Sequence, residues 1–187
     1  MGFHKDNIVG QNGENIIYDY LMNHPSTDSV VNVSNDTWFQ QFDIDFIQID
    51  GNGGVNKIEV KTDRLADKTG NMVYEVYSDR RNYTKGCFEK TESDYIFYYL
   101  INTNILYIFD TQKLREWVLE HQHNLRLVDM GDYALGYIIP LNDLKEISIK
   151  ERLFPLQILY NYQLLYLYFH LEDDILYYLT SPIHANV

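Results

Sequence analysis

Apolar and polar residues alternate along residues 38–50 and again along 57–61, with Gly51-Asn52-Gly53-Gly54 between the two runs. Alternation with a period of two marks a strand, and a glycine-rich link between two such runs predicts a β-hairpin. Upstream, Ile17 and Leu21 follow Glu14 at three and seven residues, with Tyr18 beside them. That spacing lays out one helix face, so residues 13–23 are expected to be helical until Pro25 and Ser26 end them. Residues 30–33 suggest a short strand, and residues 72–77 a third long one with Val73, Glu75 and Tyr77 on one face. Two apolar runs, 95–101 and 105–109, are joined by Asn102-Thr103-Asn104 as a second hairpin. Thr111 is placed to cap a helix reaching about His121, with Leu114, Trp117 and Val118 as its buried stripe. Short strands at 125–128 and 137–139, then one or two helical turns over 140–147, complete the pattern. Residues 63–71 read as a polar connection with a turn at Thr69-Gly70-Asn71, and residues 78–92 as an irregular, basic loop.

The order helix, several strands, helix gives an α/β (α+β) domain with a central mixed sheet, expected over residues 1–150. From about Leu153 the character changes. Residues 158–179 are rich in Leu and Tyr and are interrupted by Glu172-Asp173-Asp174, too short and too broken for a membrane span. Residues 151–187 are expected to form a C-terminal extension, as a helix or an extra strand pair, packing on the domain or on a second subunit.

Composition narrows the class. The chain has 187 residues, 45% hydrophobic and 15% aromatic, enough for a sizeable single core. No run of eighteen apolar residues is present, so a membrane helix is not expected. Met1-Gly-Phe-His-Lys-Asp lacks the apolar stretch of a signal peptide, and a single cysteine, Cys87, suits a reducing cytoplasm. The net charge of −12 works against a general nucleic-acid binder, because phosphate contacts need Lys and Arg. Its distribution is uneven. Residues 61–90 carry seven basic and five acidic side chains, while residues 1–60 carry two and nine. The relatively basic segment therefore follows directly after the predicted hairpin.

Candidate chemistry lies on that hairpin. Asp45 stands thirteen residues before Ile58-Glu59-Val60-Lys61. Residues two apart on a strand share a face, so Glu59 and Lys61 point one way while Ile58 and Val60 point into the core, and Asp45 stands opposite across the hairpin. Asp43 lies on the same face and competes with it. Two close carboxylates repel each other, and a divalent cation relieves that repulsion. Glu14 lies on the helix face of Ile17 and Leu21, where a charge is costly unless paired or metal-bound. Glu75 reads equally as a further metal or substrate residue and as an ion-pair partner; Asp63 reads as a loop cap. Arg64, Arg80, Arg81 and Lys85 are candidate substrate contacts or an ordinary solvated loop. His121 and His123, two apart on a helix, do not converge on a metal.

The segment Gly13-Glu14 … Asp45 … Glu59-Val60-Lys61 resembles the active-site pattern of the PD-(D/E)xK nuclease superfamily. The likeness extends through Lys61-Thr62-Asp63, Thr69-Gly70-Asn71, Val73-Tyr74-Glu75-Val76, Lys85-Gly86-Cys87-Phe88 and Ser93-Asp94-Tyr95, in the manner of phage and bacterial members. The leading Pro of the family name is absent, Phe42-Asp43-Ile44 standing before Asp45. The resemblance implies a restriction-endonuclease-like three-layer core, a central mixed sheet flanked by helices. It also implies Asp45 and Glu59 as ligands of Mg2+ or Mn2+, with the Val60 carbonyl and Glu14 as auxiliary ligands and Lys61 orienting the attacking water. DNA, branched forms included, is the implied partner, in a homodimeric enzyme of Holliday-junction, repair or restriction type. Two rivals stay open: a non-catalytic acidic module of the same fold that occupies a partner's basic groove, and an RNA nuclease.

Overall fold

The computed structural model describes residues 3–153, and the expected C-terminal extension lies almost wholly outside them. In chain order the elements are α1 (Phe3–Asn23), β1 (Thr27–Asn32), α2 (Thr37–Gln40), β2 (Phe46–Asp50), β3 (Val55–Asp63), α3 (Ala66–Thr69), β4 (Asn71–Asp79), β5 (Thr84–Lys85), α4 (Cys87–Lys90), β6 (Tyr95–Leu100), β7 (Ile105–Asp110), α5 (Thr111–His121), β8 (Arg126–Gly131), β9 (Ala134–Pro140) and β10 (Ser148–Arg152). They make a mixed α+β fold around a six-stranded central sheet of order β1-β2-β3-β6-β7-β10. All neighbours in it are antiparallel except β3 and β6, which run parallel with Glu59 level with Ile96 and Lys61 level with Tyr98. Among the described residues no helix is long and apolar enough to cross a membrane.

That one parallel pair decides the rest. Parallel neighbours need a crossover connection, and residues 64–94 supply it, carrying β4 off the central sheet into a second, four-stranded sheet of order β5-β4-β9-β8. The run 72–77 is therefore a strand of a separate sheet. The second sheet and α5 cover one face of the central sheet, burying Met72, Tyr74, Phe88, Ile96, Tyr98, Phe109, Leu114 and Ile139 in one core. On the opposite face α1 packs Ile17 and Leu21 against Phe46, Ile58, Val60, Phe97 and Tyr99. Burying one such aliphatic side chain contributes about 2 kcal/mol. The central sheet is thus flanked by helices, with the second sheet sharing one side.

Other elements depart from the periodic pattern for local reasons. α1 begins at Phe3, ten residues before the apolar stripe, and Ile8, Gln11 and Asn12 on it are exposed. Residues 38–50 are not one strand. Asp36 accepts the Trp38 N–H at 2.8 Å and opens α2, Asp43 adopts a left-handed φ of 46°, and β2 starts only at Phe46. Trp38 stays 63% exposed, edge-on to Phe42. Within 78–92, β5 and α4 order a stretch expected to be irregular. α5 is capped by Asp110, which accepts the Lys113 N–H at 3.0 Å, while Thr111 is buried. The turn at 145–147 is a 3-10 helix, and β10, absent from the periodic reading, closes the sheet against β7.

Two glycines in α1 sit in opposite circumstances. A Cβ at Gly13 would lie 1.8 Å from Thr62 Oγ1, whereas a Cβ at Gly10 would meet nothing within 4 Å. Gly13→Ala must push α1 off β3 and is expected to cost about 1–3 kcal/mol. Gly10→Ala is expected to stabilise by about 0.5–1 kcal/mol through helix propensity. Urea unfolding of both variants checks the pair, and equal effects would refute the Gly13–Thr62 contact.

Candidate active site

β2 leaves the ladder one residue early. Its last pair is Phe46 with Ile58, so Asp45 stands just off the strand end, level with Glu59, and donates its N–H to the Ile58 carbonyl at 2.9 Å. β3 runs on to Asp63 with that edge open. The Val60 N–H, which points to the open edge, donates to Asp45 Oδ2 at 2.8 Å. N–H and C=O of one strand residue point to the same side, so the Val60 carbonyl also faces the Asp45 side. A missing stretch of strand thus turns a backbone ladder into a side-chain site.

Glu59 and Lys61 project from the other face of β3 than Ile58 and Val60, as the alternation predicts. That face is not open to water at Glu59: the second sheet covers it and leaves Glu59 4% exposed. The Lys61 ammonium pairs with Glu59 Oε1, and the Lys61 side chain keeps 32% of its surface exposed. The carboxyl groups of Asp45 and Glu59 lie close enough to influence each other's ionisation. Burial pushes the Glu59 carboxyl up to about 8, with the neighbouring Asp45 charge adding to the rise and Lys61 opposing it. Asp45 is raised as well, chiefly by burial, while the Val60 N–H and Lys61 pull it back. Burial works against the charge of Lys61, but the facing carboxylates outweigh it and hold the ammonium above its ordinary value.

Glu14 reaches the same neighbourhood from α1. Burial raises its carboxyl, Asp45 raises it further, and a hydrogen bond with Ser34 and the charge of Lys61 lower it. What seats it is the preceding residue: Gly13 lets α1 lie directly on Thr62, whose hydroxyl is buried without a hydrogen-bond partner. Thr62, Ser34 and Cys87 were not legible as site neighbours. The signal for the first was a glycine inside an amphipathic helix, next to its one acidic core-facing residue. Cys87 lies close enough to feel Lys61, Glu75 and Glu59, and burial pushes its thiol up to about 12, an unreactive state.

The remaining sequence candidates separate. Asp43 is held in an ion pair with Lys90 at 3.0 Å and adds its charge to the rise of Asp45 and Glu59, while Asp45 stands level with Glu59. Asp63 caps the next turn, accepting from the N–H groups of Leu65 and Ala66, and also accepts the Tyr98 hydroxyl. Glu75, on β4, accepts the Cys87 N–H at 3.0 Å and so flanks the site from the second sheet. Arg64 is exposed at the end of β3. Arg80 pairs with Asp129 and Arg81 with Asp79 at the far rim of the second sheet, and Lys85 is exposed on β5. His121 stacks on Trp117, with centroids 4.2 Å apart, and His123 contacts Asn124.

The donor set near Asp45 is all oxygen. Among the described residues no three His, Cys, Asp or Glu side chains gather closely enough to hold a metal by themselves, so Glu14 stands beside the Asp45–Glu59 pair and not within a ligand cluster. A magnesium-type cation is held through one or two carboxylates and keeps several waters. Two adjacent carboxyl groups with the Val60 carbonyl turned to their side fit that demand. They do not fit zinc, whose sites use His and Cys.

The raised Glu59 carboxyl has a consequence for the metal-free protein. The folded state holds this proton more tightly than the unfolded chain, so the stabilisation is complete below the ordinary carboxylate value of 4.5 and is lost as pH rises to about 8. Thermal unfolding in EDTA should therefore show a melting temperature that falls across this window, and Glu59→Gln should flatten the fall. An unchanged slope in the variant would place the titration elsewhere. If the deprotonated carboxyls take up a cation, added Mg2+ should restore most stability at the alkaline end.

No protein-family model matches the chain, and no curated protein matches it. Among solved structures, a bacterial homing endonuclease, I-Ssp6803I, is similar at a TM-score of 0.43 and 18% identity, over 57% of this chain and 70% of that one. At that level of likeness neither fold nor function transfers.

Proposed function

We propose that this chain is a metal-dependent nuclease of the PD-(D/E)xK type that hydrolyses DNA phosphodiester bonds. The observation that carries the reading is the half-buried Asp45 beside the buried Glu59, with Lys61 paired to Glu59, where β2 leaves the edge of β3 open. A structural ion pair between Lys61 and Glu59 has no need of a second carboxylate beside it, whose charge adds to the cost of keeping Glu59 ionised.

Asp45 and Glu59, with the Val60 carbonyl, would hold Mg2+ or Mn2+. When bound, such a cation supplies positive charge to the phosphate and acidity to water. Asp45 is oriented by the Val60 N–H. Lys61, paired with Glu59 yet still reaching solvent, is placed to donate to a water approaching a phosphate from the open side. Glu14, held half-buried by Gly13 and Ser34, adds negative charge behind the pair and strengthens its affinity for a cation. Substrate arrives from solvent past Lys61. Branched DNA and a homodimer are the finer form of the proposal.

Cleavage of linear, single-stranded and four-way-junction DNA with Mg2+, Mn2+ or EDTA tests it. Asp45→Ala is expected to reduce cutting to background, and Lys61→Ala to slow it by roughly 100-fold or more. Metal-independent cutting, or full activity in either variant, would refute the assignment. The net charge of −12 favours one second reading, a non-catalytic acidic module. Folded protein that binds metal, cuts neither DNA nor RNA and is captured by a basic nucleic-acid-binding partner is its signature.

A further inference from the structure

The rim of the second sheet carries tyrosines where both backbone and solvent disfavour them. The β8–β9 turn has Asp132 and Tyr133 between the paired residues Gly131 and Ala134, with φ of 46° and 69°. Two consecutive positive φ values describe a turn that favours Asn-Gly, and Tyr133 stands in the glycine position. Across from it, in the β4–β5 connection, Tyr83 is also left-handed, with φ of 53°. Each bulky residue in this region costs about 1–2 kcal/mol. Neither ring recovers that by burial: Tyr83 is 78% exposed and Tyr133 46%.

The two turns are built into one surface. The Arg80 N–H donates to the Tyr133 carbonyl at 3.0 Å. The Arg81 guanidinium lies over the Tyr133 ring, 3.4 Å from its centroid, and is fixed in that plane by Asp79, which accepts from its Nε at 3.0 Å and its Nη2 at 2.9 Å. Tyr83 meets Tyr77 edge-on at 6.3 Å. The result is a fixed array of exposed aromatic and guanidinium planes. Thr84, Lys85 and Gly86 lead along the chain from Tyr83 to Cys87, whose thiol feels the Lys61 charge.

We infer that this rim is a stacking platform for unpaired bases of a single-stranded DNA segment running out of the active site. The inference rests on the nuclease reading and names the form of substrate it takes. Tyrosine and guanidinium planes stack on any base, and the faces of a base are free only outside a duplex. Charge agrees with such an occupant. Arg80, Arg81 and Lys85 balance Asp79, Asp129 and Asp132 at this rim, which is therefore neutral in a chain of net charge −12. With Arg80 and Arg81 already paired, few charges are left to release counterions, so affinity comes from stacking and depends weakly on salt.

The backbone offers an unusual test. In Tyr83→Gly/Tyr133→Gly the rings are lost while both turns gain their preferred residue, so the variant folds. Fluorescence anisotropy in EDTA, with the full chain and labelled DNA as a single strand and as the matching duplex, gives the readout without cleavage. The wild type should bind the single strand more tightly, with a shallow salt dependence. The double variant should lose about ten-fold in single-strand affinity, the worth of roughly one stacked base, with duplex binding and melting temperature unchanged or the latter raised. Equal single-strand affinity in the variant, a wild-type preference for duplex, or tighter binding of an RNA strand would each overturn the assignment. Single-strand binding by Tyr83 and Tyr133 in a protein that cuts nothing would leave the platform standing and refute the nuclease reading instead.

Discussion

Burial of the Glu59 carboxyl is the constraint around which this molecule is arranged. β3 lies between two strands in its sheet and between two cores across it, and Ile58, Glu59 and Val60 at its middle have left water. A carboxylate in that position must find compensation or take up a proton. The fold answers with the Lys61 ammonium on one oxygen and a carboxyl raised to about 8. Asp45 is in turn held by the Val60 N–H that no neighbouring strand uses. Each of these depends on β2 stopping at Phe46. Had the strand paired two residues further, setting Ile44 against Val60, the backbone would have taken the donor that orients Asp45.

The same economy places Glu14. A helix lying over a sheet normally keeps about 10 Å from it, set by the side chains between. At Gly13 that spacer is missing, and Thr62 fills the gap with a hydroxyl that has no partner. The close approach brings the next residue within electrostatic reach of Asp45 and Lys61. Stability and site geometry are coupled here: the contact that sets the helix height also sets the position of a site carboxylate.

The second sheet follows from the parallel β3–β6 pair, because the crossover that links them has to leave the central sheet and return. It serves three purposes. It seals Glu59 from water, it brings Glu75 and Cys87 to the edge of the site, and its far rim holds Tyr83 and Tyr133 against their backbone preference. The connection between site and rim through Gly86 is close-packed, since a Cβ there would stand 2.4 Å from the Glu75 carbonyl.

Local periodicity was enough to find the 46–50 and 55–63 hairpin, the 95–110 hairpin, the helix ending at Asn23 and the Asp45, Glu59 and Lys61 constellation. These depend on which residues alternate and which turn residues separate them, and both are properties of short segments. It failed where a local hydrogen bond or a distant partner decided the outcome. The Asp36 cap and the left-handed Asp43 cut the 38–50 run in two, and the polar first turns of α1 have no stripe to read. Nothing in the alternation of 72–77 says which sheet the strand joins. By itself, then, the chain determined the strands, their faces and the chemical types brought to the hairpin, because alternation and turn chemistry are short-range. Only the tertiary structure decided that Glu59 is buried, that Asp45 and not Asp43 meets it, that Glu14 stands beside the pair and that two exposed tyrosines share a rim. Burial and the meeting of distant residues are set by the β3–β6 crossover and by the seating of α1, and neither has a signature within any one segment.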